Sequence, residues 1–161
     1  SSGYDEYSDI LQLWQANLRE LGIKLEIRGM EWDAQWSEAQ ATNPEDRQDI
    51  LLMRWWPDYA SPSSWFDSLV KSEETVTFNL SYINDPELDA MITEADNSVA
   101  TDRAKAESLY VAAQDKLIDS TPMIFMFDDS HTLIVSNTIS GVEENPAYST
   151  VIHYYNVTKI G

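Results

Sequence analysis

The sequence predicts an α/β fold: a layered mixed sheet with flanking helices. Three observations carry this. A helical pattern over 8–21 passes through a short turn into an alternating strand at 23–27. Two more helices are patterned over 85–97 and from Thr101 to Asp119. β-rich runs follow at 122–127, 131–135 and 151–157. A helix joined to a strand by so short a turn packs back on it, which is the layering of α/β domains.

In the first helix, Ile10, Leu11, Trp14, Leu18 and Leu21 recur at helical spacing, with Ser8 as N-cap and Gly22 as the C-terminal stop. Ile23, Leu25 and Ile27 then alternate with Lys24, Glu26 and Arg28, the pattern of a half-buried strand. Residues 31–40 form a short helix carrying Trp32 and Trp36, and Asn43-Pro44-Glu45-Asp46 is a turn-rich acidic loop. The apolar run Asp49 to Trp56 reads as a buried strand. Pro57 and Pro62 bracket an irregular segment, because proline lacks the N–H that a sheet ladder needs. Ser63 or Ser64 caps a helix through Leu69. In the 85–97 helix, Pro86 takes the first position, and Leu88, Met91, Ile92 and Ala95 share one face. The Thr101-capped helix presents Ala106, Leu109, Tyr110, Ala113 and Leu117. The runs at 122–127 and 131–135, divided by Asp128-Asp129-Ser130, make a hairpin or a bent strand. Such a sheet needs further strands to cover these elements, so residues 1–161 are expected to be one domain cut from something larger.

The chain carries 28 acidic and 10 basic residues, a net charge of −18. That surface repels nucleic-acid phosphates and anionic lipid headgroups, so no nucleic-acid partner is expected. The acids are spread along the chain, which fits solubility first and attraction of cationic solutes second. No apolar run is long enough to span a membrane, so membrane association is expected only through an anchor or permease outside these residues. The opening Ser1-Ser2-Gly3-Tyr4-Asp5 has neither the basic nor the apolar region of a leader, which leaves export open.

Catalytic chemistry finds little support. With no cysteine, disulfides, thiolate metal sites and cysteine nucleophiles are all absent. No Gly-x-Ser-x-Gly occurs, and His131 and His153 fall in candidate strands without a serine–histidine–aspartate pattern. No metal-ligand spacing appears. Asp128-Asp129 and Glu143-Glu144 offer oxygens but read as solvated loop acids. Five scattered glycines make no phosphate cradle. No catalytic residue, metal or cofactor is expected. A two-carboxylate glycosidase stays open at this stage, because carboxylate separation is a three-dimensional fact.

The unusual segment runs from Arg54 to Phe66, with five aromatics, two prolines and one acid, Asp58, in thirteen residues. Prolines lower the entropy lost when a loop orders around a ligand. Tryptophan faces offer rigid apolar contact and attract cations. A carboxylate among them pairs with an ammonium group. The competing reading is that these aromatics fill the core behind the loop, Trp65 and Phe66 above all. Trp55, Trp56, Asp58 and Tyr59 are the candidate ligand-binding residues.

The order of these signals resembles the C-terminal part of family 5 extracytoplasmic solute-binding proteins, the oligopeptide, dipeptide and nickel receptors of ABC importers. The resemblance rests on four stretches: Gln15 through Ile27, Trp55 through Pro62, Tyr82 through Asp89, and Arg103 through Leu117 followed by Thr121-Pro122-Met123-Ile124. It implies a type II periplasmic-binding-protein-like lobe, outside the cytoplasm, in a longer two-lobed receptor that traps solute and hands it to permease subunits. In peptide-binding members of the family, the aspartate of the Trp-x-x-Asp-Tyr loop pairs with the peptide amino group and the tryptophan three residues earlier lines the pocket. By position these are Asp58 and Trp55. Here Trp56-Pro57 adds bulk and rigidity just before Asp58. Other members bind sugars, opines or metal chelates. The resemblance therefore implies a peptide first, with a sugar or cationic solute as alternative.

Overall fold

The computed structural model describes residues 5–128, 132–143, 145 and 152–160. They divide into two compact units, ending at Trp55 and beginning at Trp56.

In the first unit, α1 (Asp5–Glu20) ends at Gly22, which takes φ +78°. The Ile23 amide reaches back to the Leu18 carbonyl at 2.9 Å, and the Gly22 amide to that of Arg19 at 3.1 Å. This closes the last turn as a left-handed glycine allows. Ser8 lies inside α1, and its hydroxyl accepts from Gln12 rather than capping. α2 (Trp32–Ala39) follows, then a 3-10 turn at Pro44–Asp46 whose Glu45 amide is received by the Asn43 side chain. The runs expected as strands, 23–27 and 49–56, are irregular and join no ladder. Side chains tether them instead. Gln15 Nε2 donates to the Leu25 carbonyl at 2.9 Å, and Gln35 Nε2 to that of Leu52 at 3.3 Å. Gln48 Nε2 donates to the Gln35 carbonyl at 3.2 Å, and Arg28 pairs with Glu38. Only Tyr7 and Ala39 are buried among the described residues of this unit.

The second unit holds the core. α3 (Pro62–Leu69) starts with proline at its first position, α4 (Pro86–Ser98) likewise, and α5 (Arg103–Ser120) is the longest helix. Proline's missing N–H is no loss at a helix start. Asp85 caps α4, accepting from the Glu87 and Leu88 amides, and Asp102 rather than Thr101 caps α5, accepting from Lys105. The Leu88 amide chiefly, with Lys116 adding, holds the Asp85 carboxyl below its ordinary value. Lys116 bonds Asp85 and Glu87 at 3.2 and 2.7 Å, joining the end of α5 to the start of α4. The predicted faces meet. Leu88, Ile92 and Ala95 pack with Ala106, Tyr110, Ala113 and Leu117, and with Phe66 and Val70 beside α4.

Between α3 and α4, buried Asn79 organises the connection. Its amide donates to the carbonyls of Lys71 and Ile83, and its oxygen accepts from the Ile83 amide. β-structure among the described residues is one antiparallel pair, β1 (Ile139–Ser140) with β2 (Thr158–Lys159). Gly141 serves this pair: a Cβ there would stand 1.9 Å from the Asn156 carbonyl oxygen, and its φ is +78°. The strands expected at 122–127 and 131–135 are not formed. Their described residues are irregular, and Ile124, Phe125, Phe127 and Ile134 are exposed. The last strand lies at 158–159, with a 3-10 turn at Tyr154–Asn156 inside the expected 151–157. A strand exists only through a hydrogen-bonded neighbour. The expected layered sheet is therefore not formed by the described residues. His131, Asp129, Glu144 and Val151 lie outside them.

Ile92 is 0% exposed between the two long helices, whereas Val111 on the outer face of α5 is 57% exposed. Ile92→Ala is expected to cost about 2–5 kcal/mol by leaving a cavity, and Val111→Ala to stay within about 0.5 kcal/mol. Urea unfolding of the two variants against the parent measures both.

Candidate functional site

Trp55 closes the first unit, and Trp56, Asp58 and Tyr59 open the second. In the first unit, Trp36 on α2 is central to an aromatic run. It lies 5.2 Å from Trp32 and stacks on Trp55 at 6.4 Å with planes 17° apart. Next in the chain, the Arg54 guanidinium sits over the Tyr7 ring, 5.4 Å from its centroid. Trp32 and Trp36 fall one helical turn apart, which places both on one side of α2. Trp55 is thus half-buried against another tryptophan, the packing role that competed with ligand contact in the sequence.

In the second unit, Trp56, Asp58 and Tyr59 share one short loop leading into α3. All three are exposed, Trp56 at 52% and Tyr59 at 47%, so their surfaces are open to a ligand rather than spent on the core. Pro57 restricts the backbone between them. The loop is tied to the helix it precedes. The Asp58 amide donates to Ser64 Oγ at 2.8 Å, and Ser64 is 2% exposed. The Ser61 amide closes a tight turn on the Tyr59 carbonyl at 2.8 Å. Ser63 Oγ donates toward the Tyr59 hydroxyl at 3.1 Å and lies 3.0 Å from Ser61 Oγ. Pro62 opens α3, and the helix's apolar side then delivers Phe66 to the core while Trp65 stays 40% exposed. The core-filling reading therefore holds for Phe66 and not for Trp65.

Phe66 stacks on Tyr110 of α5, centroids 5.7 Å apart and planes 15° apart. Tyr110 donates its hydroxyl hydrogen to Asp96 Oδ1 of α4 at 2.5 Å. Burial first, then the Asp96 carboxylate, pushes the Tyr110 phenol far above its usual range. Burial likewise raises the Asp96 carboxyl, against the lowering effect of the Tyr110 hydrogen bond. Sequence patterning placed Tyr110 on the apolar face of its helix but gave no sign of Asp96. Its partner is fourteen residues away and is found only through the helix pairing.

As chemistry, the loop offers a carboxylate between two exposed aromatic side chains on a backbone fixed before any ligand arrives. Such a set pairs with a cation or an ammonium and shields it with ring faces. Among the described residues no group of three or more His, Asp or Glu side chains is placed to hold a metal. Nor is any helix among them long and apolar enough to cross a membrane. His153 Nε2 lies 3.2 Å from Asn145 Nδ2.

The pH dependence has a defined sign. Because the folded pKa of Asp96 is raised, its contribution to stability is complete below the ordinary aspartate value and is lost as pH rises through the folded value. Asp67 and Lys71 also act on this carboxyl, in opposite directions. Asp96→Asn keeps an acceptor for Tyr110 and removes the titration. Thermal unfolding from about pH 3 to about pH 7 is expected to show the parent losing ground to Asp96→Asn as pH rises.

Residues 1–77 match the bacterial extracellular solute-binding proteins, family 5 Middle. A glutathione-binding protein of Pectobacterium atrosepticum is 24% identical over 144 residues, covering 88% of this chain and 28% of the relative. A probable D,D-dipeptide-binding periplasmic protein of Escherichia coli is 25% identical over 154 residues, 90% of this chain and 27% of the relative. A probable di/tripeptide-binding protein of Pseudomonas aeruginosa is 26% identical over 136 residues, 84% and 25% respectively. The chain thus spans about a quarter of the length of these relatives. No solved structure matches it.

Proposed function

Residues 1–77 belong to the family 5 bacterial extracellular solute-binding proteins, and on that premise we propose that the chain is part of a peptide-binding receptor outside the cytoplasm. The receptor captures a short peptide by its free amino group and passes it to the permease subunits of an ABC importer. It performs no catalysis of its own. Three relatives are named for glutathione, dipeptides and di- or tripeptides, which supports a small peptide as the solute.

The observation that carries the proposal is the exposed Asp58 on a pinned loop between Trp56 and Tyr59. Asp58 takes the ammonium group. Trp56 and Tyr59 supply ring surface beside it. Trp55 has its pocket-lining role from its place in the chain, three residues before Asp58. A loop held by Ser64 in advance loses less entropy on binding. Capture between lobes follows hinge closure, and the type II binding-protein lobe is the proposed setting. The irregular, largely exposed runs at 23–27 and 124–127 then become strands beside neighbours in the rest of the receptor.

Calorimetric titration of the full-length protein with trialanine, N-acetylated trialanine and a maltooligosaccharide tests this. Heat is expected from free-amine trialanine alone. Asp58→Asn is expected to weaken it by roughly tenfold or more, the loss expected for a desolvated charge partner. Heat only from the oligosaccharide would contradict the peptide assignment. Unchanged affinity in Asp58→Asn would make that residue structural.

A further inference from the structure

Three hydroxyl groups gather where the ligand loop enters α3. Ser63 Oγ, in the first turn of the helix, stands 3.1 Å from the Tyr59 hydroxyl and 3.0 Å from Ser61 Oγ. Two hydrogen bonds among three hydroxyls use two protons and leave one over. When Ser63 donates to Tyr59, Ser61 donates to Ser63, and the Tyr59 proton is the one left. Tyr59 is 47% exposed, and its bond to Ser63 lies at the surface, so that proton is open to an acceptor from solution. The backbone beneath is fixed. The Ser61 amide bonds the Tyr59 carbonyl at 2.8 Å, and the Ser64 amide bonds that of Ser61 at 3.1 Å. Ser64 Oγ receives the Asp58 amide at 2.8 Å. The loop therefore carries a spare hydrogen-bond donor on the residue next to the Asp58 carboxylate.

A carboxylate and a donor on adjacent residues have a chemical complement. The carboxylate takes an ammonium, and the hydroxyl takes an acceptor close to it. In a peptide that acceptor is the first carbonyl oxygen, on the carbon next to the one bearing the ammonium. A free amino acid puts a carboxylate there, which Asp58 and a net charge of −18 disfavour. A simple amine has no acceptor at all. We infer that the Tyr59 hydroxyl donates to the first carbonyl oxygen of the bound peptide, and so selects a peptide N-terminus over a free amino acid or a simple amine. This rests on reading the loop as the site for a peptide amino group. Tyr59 is then a specificity-determining residue, and Ser63 a positioning residue that holds its hydroxyl.

Calorimetric titration of the full-length protein tests this with two ligands. One is trialanine. The other is its isostere with the first peptide bond replaced by a trans carbon–carbon double bond, which keeps the ammonium and the shape but lacks that carbonyl. Tyr59→Phe is expected to weaken trialanine about 2- to 12-fold, the range for one hydrogen bond, and to leave the isostere unchanged. Asp58→Asn is expected to weaken both. Ser63→Ala is expected to weaken trialanine no more than Tyr59→Phe does, and to add nothing to it in the double variant, because both remove the same contact. Equal losses for the two ligands in Tyr59→Phe mark a packing role for the ring and overturn the inference. Additive losses in the double variant, or an isostere that the parent does not bind at all, also overturn it. Trialanine weakened by Asp58→Asn but not by Tyr59→Phe removes this inference and leaves the peptide reading standing. No heat from trialanine in the parent removes both.

Discussion

The packing of α4 on α5 is the constraint on which the second unit depends. Ala95, Ala106 and Ala113 are almost fully buried and carry the smallest side chains at the seam. Small residues let two helices approach closely, so Leu88, Ile92 and Leu117 reach across and exclude water. Tyr110 is the one large aromatic that α5 contributes to this core. It stacks on Phe66 and so places α3, and α3 places the loop that precedes it. The order of cause runs from an alanine-rich helical pattern, through close packing, to the position of an exposed carboxylate.

The first unit is held together by a different means. With two buried residues among those described, it has almost no apolar core of its own. Gln15 and Gln35 bond backbone carbonyls of the irregular segments, Gln48 bonds a carbonyl of α2, and three tryptophans run from α2 to Trp55. Backbone polar groups that no ladder satisfies must find side chains or water. Gln15 and Gln35 meet part of that need. The exposed Leu13, Leu21 and Ile23 show how much apolar surface this unit leaves uncovered.

What was legible in the sequence was local. The helices at 5–20, 86–98 and 103–120 follow from periodicity, and Pro86 and Gly22 from backbone chemistry of one or two residues. Caps were legible to within a few residues: Asp102 displaced Thr101 because a carboxylate one residue later receives the Lys105 amide. The strands were not legible, since alternation identifies a segment able to pair but not the partner it needs. The loop around Asp58 announced itself by composition. Its support did not, because Phe66, Asp96 and Tyr110 are far apart in the chain and become neighbours only through helix packing.

The proposed binding site and the fold meet at Asp58. Its amide is fixed to a buried serine, its loop is stiffened by Pro57, and the aromatic residues on either side are exposed. The most direct measurement is a crystal structure of the full-length protein with trialanine bound. The account predicts the peptide ammonium nitrogen about 2.7–2.9 Å from an Asp58 carboxylate oxygen, with Trp56 and Tyr59 against the first residue. An ammonium paired with a different carboxylate, and Asp58 in solvent, would contradict it.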